Sequence, residues 1–558
     1  MPPTNKPRNI VLIAGGILII IAYFGPLNYI NLGGEEPRRG VVAMEMDYHG
    51  NILVPTLFGV NYYNKPPVHN WLILASSKVL GGFSNRVVRL PSLISLFLLI
   101  LLSHRLLKKY VSLLTARMTT IFLLINIEWL LYGAVYSGEI DLFYSLVVFL
   151  QATSIFYFGS KEKTLQLYLI SYFFCALGLL TKGLPSLAFQ VFGLLAWSIT
   201  TGKFLHLFSW KHFAGILVFG IIVTGYFYAY SGYSDPWPYI HTLFIESADK
   251  TSAGQSFASI TWSAAIFIFQ LFKILLPASL LLIFFRIRFI RKAIRENNLL
   301  KFFFWFIVLN LPVYWLSPNV KMRYLYMFIP MLTALIVYSY FENAELREKY
   351  SGLIDRIMKY VMLVIGVVFL APLFFNFGIT KDPLHLVNAG LIIALVLVTY
   401  YTRRFPDYAI YFFAITFLLL RVFMNYYHFP NFRARYDPVT DFIQETLTIT
   451  AGEPVYYAAD PDTKWIVGTL TNHLSCRDSI PVTTAPLIYT QIPFYLNLKK
   501  DKPLELVESA EAGKYYIAGK EYTTDKNITI LSSTSECLGG CDGYVLFTIN
   551  TKENEILP

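Results

Sequence analysis

Two adjacent carboxylates, Glu35 and Glu36, stand at the exit of a long apolar run. Arg38 and Arg39 follow at once, and further on comes the stretch Tyr62, Tyr63, Asn64, Lys65, Pro66, Pro67. A carboxylate acts as a general base when burial or a second carboxylate lifts its pKa toward neutrality, and a lysine or arginine stabilises charge developing on a departing phosphate. Charge beside hydrocarbon costs roughly 2.5 to 3.5 kcal/mol per residue on insertion scales unless it is paired or wetted. A loop carrying this many charges, Leu32–Trp71, is therefore a candidate reaction site. Being consecutive, Glu35 and Glu36 point in different directions, so one faces the reaction and the other is free to hold Arg38, Arg39 or a ligand. A solvated loop is the ordinary alternative. Against it stand an amphipathic helix expected over Val41–Tyr48 and the K-P-P stretch, which pins Lys65 at the entrance to a helix expected over Val68–Leu80.

Further charges recur beyond this loop. Glu139 and Asp141 open an apolar run, where a helix dipole alone also favours acids. Lys182 sits in T-K-G-L-P between two apolar runs, and Lys321, Arg323 and Tyr324 lie in V-K-M-R-Y-L-Y. Three separate basic groups on one side are explained by a shared polyanionic ligand such as a phosphate. No histidine pair has the spacing of a metal helix, so a metal would have to be assembled from distant carboxylates and His241.

These residues need a frame to bring them together, and composition says which. Of 558 residues, 55% are hydrophobic and only 15% charged, with a mean hydropathy of +0.51. That is a polytopic α-helical membrane protein, since a water-soluble domain carries about 25% charge. About thirteen apolar runs between residues 9 and 427 are long enough to be read as spans, among them 184–200, 260–285, 358–376 and 385–401. The net charge of +11 lies mostly in alternate short connectors. This is the positive-inside pattern rather than a nucleic-acid surface, and it sets the N terminus in the cytoplasm and the charged loops outside. Residues 1–430 form the membrane part, with outer loops 31–87 and 232–258 contributing the site. Residues 431–558 read as a small extracytoplasmic α/β domain, with strands at Val455–Ala459, Leu487–Ile492, Tyr515–Ala518 and Tyr544–Ile549 and a helix over Pro438–Thr448. Its expected role is a lid or acceptor-docking platform. If it lies outside, one disulfide involving Cys476 and either Cys537 or Cys541 is expected, with the pairing open.

The order E-E-P-R-R, Y-N-K-P-P, R-L-P at Arg89–Pro91, Asp141, T-K-G-L-P and R-Y-L-Y-M-F-I-P resembles the lipid A aminoarabinose transferase and its bacterial relatives, within the wider protein O-mannosyltransferase-like glycosyltransferases. The resemblance covers residues 9–427. It implies the GT-C fold and transfer of a single sugar from a polyprenyl (undecaprenyl) monophosphate to an extracytoplasmic acceptor, by inverting displacement, in a bacterial inner membrane. Lipid A is the first acceptor it suggests, and protein is the alternative. A polyprenyl-linked glycan ligase and a lipid transporter are the remaining readings, and the one-sidedness of the charges disfavours transport. The resemblance places Glu35, Glu36 and Asp141 in catalysis. It sets Lys65 and Lys182 by the donor phosphate, with Arg38 following the acids; from the residues themselves Arg39, Tyr62, Tyr63, Glu246, Lys321, Arg323 and Tyr324 are expected at the substrate too, in a monomer. Glu35 stands where relatives usually carry Asp. Asn64 stands where the transferase has a glutamate associated with a metal, and Ser247 follows Glu246 where a histidine is expected. Both weigh against a bound divalent zinc or magnesium.

Overall fold

The computed structural model describes residues 6–28, 31–132, 137–248, 257–284, 287–315, 321–374, 383–434, 437–458, 491–500, 502–507, 510–519, 528–534 and 544–549. Cys476, Cys537 and Cys541 lie outside these residues, as do Asp249 and Lys250. The membrane part opens with α1 (Lys6–Phe24) and then a loop holding α2 (Glu36–Tyr48), strands β1 (Thr56–Leu57) and β2 (Val60–Asn61), and α3 (Val68–Leu80). It continues through α4 (Asn85–Tyr110), α5 (Leu113–Leu124), α6 (Asp141–Ser160), α7 (Thr164–Lys182), α8 (Pro185–Thr201), α9 (Trp210–Ser231), α10 (Trp237–Ala248) and α11 (Phe257–Ile274). The bundle closes with α12 (Ile287–Glu296), α13 (Asn298–Trp315), α14 (Ile329–Phe341), α15 (Ala344–Phe374), α16 (Pro383–Arg404) and α17 (Ala409–Ala434). Among the described residues nine helices are long and apolar enough to cross a membrane, or ten with the bent pair Ala265–Ile274 and Ala278–Phe284, whose axes turn by 116°. Every run expected as a span in this part is helical over most of its described length. The run 184–200 forms α8, of 17 residues, and 260–285 is the bent pair, broken at a proline that has no N–H to continue the helix.

Local sequence explains the breaks that matter. Gly183, at φ 93°, separates α7 from α8 and leaves Lys182 at a helix end. Such a backbone is open to glycine and strained for other residues. Helix α3 begins behind Pro67 and stops at Gly81, also left-handed at φ 79°. Helix α2 starts at Glu36 rather than near Val41, because Pro37 is pre-set for a first turn and Glu36 suits the positive end of the dipole.

In the tail, α18 (Asp437–Thr450) and α19 (Gln491–Lys500) flank a five-stranded sheet of β3 (Val455–Ala458), β4 (Leu506–Val507), β5 (Tyr515–Gly519), β6 (Ile528–Ser533) and β7 (Tyr544–Ile549). The order is β4-β3-β5-β7-β6, with β3 parallel to both neighbours and the β5–β7 and β7–β6 pairs antiparallel. The strand expected at Leu487–Ile492 is not formed at Gln491 and Ile492, which open α19; Ile492 and Leu496, four apart, are buried on one face of it, and Phe494 is buried as well. The tail and the first loop share one core, in which Val41, Val42, Leu57 and Phe58 pack with Phe442, Tyr457, Ile492 and Phe494. Helix α19 approaches α2 so closely that a Cβ on Gly40 would collide with the Phe494 ring. The carbonyl of Phe58 accepts from Leu506 N at 3.0 Å, and the Phe58 and Tyr457 rings stack at 4.9 Å.

Candidate active site

Five helix ends converge at one level. Glu35 caps α2, Lys65 precedes α3, Asp141 opens α6, Lys182 closes α7, and the short 3-10 segment Met322–Phe328 leads into α14. Arg323 is the hub. Its guanidinium reaches Glu35 at 3.3 Å and Asp141 at 3.1 Å and pairs with Glu139. Lys182 pairs with Asp141 and lies 3.9 Å from the centre of the Tyr324 ring. Arg39 donates to Glu35 at 3.2 Å and to the Tyr62 hydroxyl at 2.9 Å, while Lys321 stands at the rim, 3.9 Å from Glu35. The buried Lys65 ammonium donates to the carbonyl of Asn64 at 3.1 Å, and with Arg38 it acts on Glu35 through space. Six cations thus surround the three carboxylates of Glu35, Glu139 and Asp141. The surplus of positive charge suits an anion.

The two adjacent glutamates separate as their directions require. Glu35 is 31% exposed at its side chain and faces the open side. Glu36, 4% exposed, points down into a clamp: Arg89 donates to its two oxygens from Nε and Nη2, both at 2.8 Å, and the amides of Gly33 and Gly138 donate as well. Four donors leave this carboxylate no lone pair for a substrate. Gly138 has to be glycine, since an added Cβ would meet the carbonyl of Val88 at 2.8 Å. Its own carbonyl lies 3.1 Å from Nε2 of the buried His69. Because a carbonyl only accepts, Nε2 carries the proton, and Nδ1 has no hydrogen-bond partner among the described residues. Sequence reasoning gave no role to Arg89, His69 or Gly138. The one available signal was Arg89 itself, a charge inside the apolar run of α4.

Electrostatics divides the acids further. Burial opposes ionisation of Glu35, but Arg39, Arg38, Arg323 and Lys65 together outweigh it and hold the carboxyl far below its usual range. Burial pushes Glu139 up to about 8, against the pull of Arg323 and with the help of Asp141, Glu35 and Glu36. His69 is pushed down to about 4, chiefly by burial, and is neutral at pH 7.

The remaining expected residues are less central. Tyr63 joins an aromatic cluster, 5.7 Å from Tyr239 between ring centres, and the Tyr239 hydroxyl donates to the carbonyl of Lys65 at 3.0 Å. Glu246 lies on α10, with its side chain outside the described atoms. For a metal, no three His, Cys, Asp or Glu side chains among the described residues form a group able to hold one. Glu139 and Asp141 are both engaged by Arg323, and position 64 supplies an amide. This donor set does not fit a divalent ion.

Residues 64–228 match the family model for dolichyl-phosphate-mannose-protein mannosyltransferase. The undecaprenyl phosphate-alpha-4-amino-4-deoxy-L-arabinose arabinosyl transferase of Shewanella sediminis is 29% identical over 217 residues, covering 37% of this chain and 38% of that protein. Its counterpart from Enterobacter sp. is 30% identical over 222 residues, covering 38% and 36%. The crystal structure of ArnT from Cupriavidus metallidurans bound to undecaprenyl phosphate superposes with a TM-score of 0.66 at 14% identity, covering 97% of this chain and 98% of that one. Its apo form gives 0.67 over the same shares. The chain has the GT-C fold. The fold likeness runs almost end to end, and the chain is a multi-pass membrane protein. The sequence matches span little more than a third of the curated relatives' length.

Proposed function

We propose that this GT-C protein is a glycosyltransferase that moves a single sugar from a polyprenyl monophosphate to a phosphate-bearing lipid such as lipid A. The observation that carries the reading is the ring of six cations around Glu35, Glu139 and Asp141, on one level of the bundle. In the reaction the bond from the anomeric carbon to the donor phosphate oxygen breaks, and the leaving polyprenyl phosphate keeps the electron pair. Lys65, Lys182 and Arg323 stabilise the charge that gathers on it. An acceptor phosphate oxygen bonds to the anomeric carbon from the opposite face, inverting it. That oxygen is already anionic and needs no base. This agrees with Glu35, whose cationic neighbours make it a poor proton acceptor and a good anchor for hydroxyls or an ammonium on the sugar. Glu36 is assigned to the Arg89 clamp beneath. Every group comes from one copy of the chain, which supports action as a monomer. The N terminus is placed in the cytoplasm of a bacterial inner membrane, with site and tail outside, as the charge bias of the connectors indicates.

A hydroxyl acceptor on protein is the second reading, and Glu139 favours it. Lifted to about 8, it is matched to general base work near neutrality. Purified full-length protein, given labelled polyprenyl-phosphate sugars and membrane extract, separates the two by where the label lands. In the first reading, Lys65→Ala lowers transfer by about 10²- to 10³-fold and Glu35→Gln lowers it by about tenfold or more, both with unchanged folding. Label on protein, with a rate limb near pH 8 that disappears in Glu139→Gln, selects the second. Unchanged rates in both variants remove these residues from the reaction.

A further inference from the structure

Helix α12 is short, charged and far from the site just described. Its sequence I-R-F-I-R-K-A-I-R-E sets Arg288, Arg291, Lys292 and Arg295 at spacings of three and four, which place them on one helical face. Phe289 and Ala293 on the other face are 5% and 0% exposed, and the helix packs there on α13 and α14. All four cations are exposed. Arg288 pairs with Glu345 at 2.7 Å, and Lys292 lies 4.0 Å from Glu296. Arg291 and Arg295 have no acidic partner among the described residues, and neither has a role in the reaction above.

The position of this face matters. The hydroxyl of Tyr338, near the end of α14, donates to Glu296 of α12 at 3.1 Å. Arg323, before the start of α14, belongs to the active site. Fifteen residues of helical rise between Arg323 and Tyr338 put α12 about 20 Å or more from the site along the bundle, at the opposite end, where the other leaflet has its headgroups. The side chain of Asn297, next after α12, donates to the carbonyl of Tyr110 at 2.6 Å. This brings the end of α4, with Lys108 and Lys109 in its last turn, to the same rim.

We propose that the outward face of α12 is a binding surface for anionic phospholipid headgroups in the leaflet opposite the active site. The apolar face is used up against the bundle, so the helix does not insert into hydrocarbon. It presents a row of cations at headgroup depth, and two arginines are free to fork onto phosphate oxygens. Each Lys or Arg near an anionic bilayer surface contributes about fivefold in affinity.

The test titrates full-length protein in neutral detergent with phosphatidylglycerol or phosphatidylcholine, reading bound lipid by native mass spectrometry. Wild type is expected to retain phosphatidylglycerol selectively and to lose it as salt rises. Arg291→Gln with Arg295→Gln is expected to weaken that binding about fivefold per arginine, with phosphatidylcholine binding unchanged. Arg291→Lys with Arg295→Lys is expected to keep most of it. Lys161→Gln with Lys163→Gln, at exposed cations of another connector, is expected to change nothing. Equal retention of both lipids by wild type, insensitivity to salt, or equal losses in the arginine and control pairs would overturn the proposal. So would inorganic phosphate binding through the same arginines in place of lipid. The salt and lipid comparisons use wild type alone, so the proposal stays testable even if the double variant misfolds.

Discussion

Glu35 and Glu36 share a peptide bond and very little else. The first meets its cations at the open side, and the second is saturated beneath. That one of the pair faces the reaction follows from chain geometry alone, but which one depends on Arg89, 53 positions away. A buried carboxylate stripped of its cation destabilises by about 3 to 5 kcal/mol. Arg89→Ala is accordingly expected to lower the thermal midpoint sharply, as is Glu36→Gln, while the double variant recovers part of the loss; additive losses in chemical denaturation would refute the clamp. Glu35→Gln is expected to leave the midpoint nearly unchanged. Lys182, Lys321 and Arg323 were legible from the sequence because they interrupt apolar stretches, and Arg38, Arg39 and Lys65 because they crowd one loop beside the membrane. His69 and Gly138 were not, because a lone histidine or glycine gives no sign of a contact made across the fold.

At the scale of elements, the β1–β2 hairpin and α19 lock the first loop to the tail. Buried Glu45 accepts from the amides of Phe58 and Gly59 at 2.6 and 3.1 Å, holding a turn in which Phe58 has a φ of 56°. Burial pushes its carboxyl up to about 7, against the bonds from Thr56, Gly59 and Phe58. Between about pH 4.5 and 7 the folded state therefore binds more protons here than the unfolded chain, and the contribution of Glu45 to stability falls as pH rises. The midpoint of wild type relative to Glu45→Gln is expected to drop across that window and to level off above it; a constant difference would exclude this linkage. The neighbouring contact is steric. Gly40→Ala drives a methyl into Phe494 and is expected to destabilise by about 1 to 3 kcal/mol, with partial rescue by Phe494→Leu. Failure of that rescue in a double-mutant cycle would place the strain elsewhere. The helices α3 and α18 were legible to within a few residues, because proline, glycine and the apolar period mark them. The hairpin and the start of α2 were not, since two-residue strands carry no pattern and the start of α2 was read from its apolar stripe.

At the scale of the molecule, the apolar runs and the turn from membrane helices to a strand-rich tail were plain in composition. Hydrophobic period reports a face to be covered, not its cover. The tail's core therefore looked self-contained in sequence, although Val41, Val42, Leu57 and Phe58 of the first loop pack into it. A chain ending after Ala434 exposes those four side chains. Limited proteolysis in membranes is expected to cut the truncated chain between residues 31 and 84 and to spare the full one. Equal protection would mean that the loop holds its shape unaided.

One guanidinium, that of Arg323, is shared by three acids. On the function proposed above, an incoming phosphate reaches that guanidinium only by displacing at least one of the three acids. A phosphate ion drifting in from the medium has only its charge with which to do so. A phosphate tethered to a long hydrocarbon arrives with its tail already seated in the bilayer, and can win where the solute fails. Preference for a lipid over the abundant free ion then needs no dedicated filter.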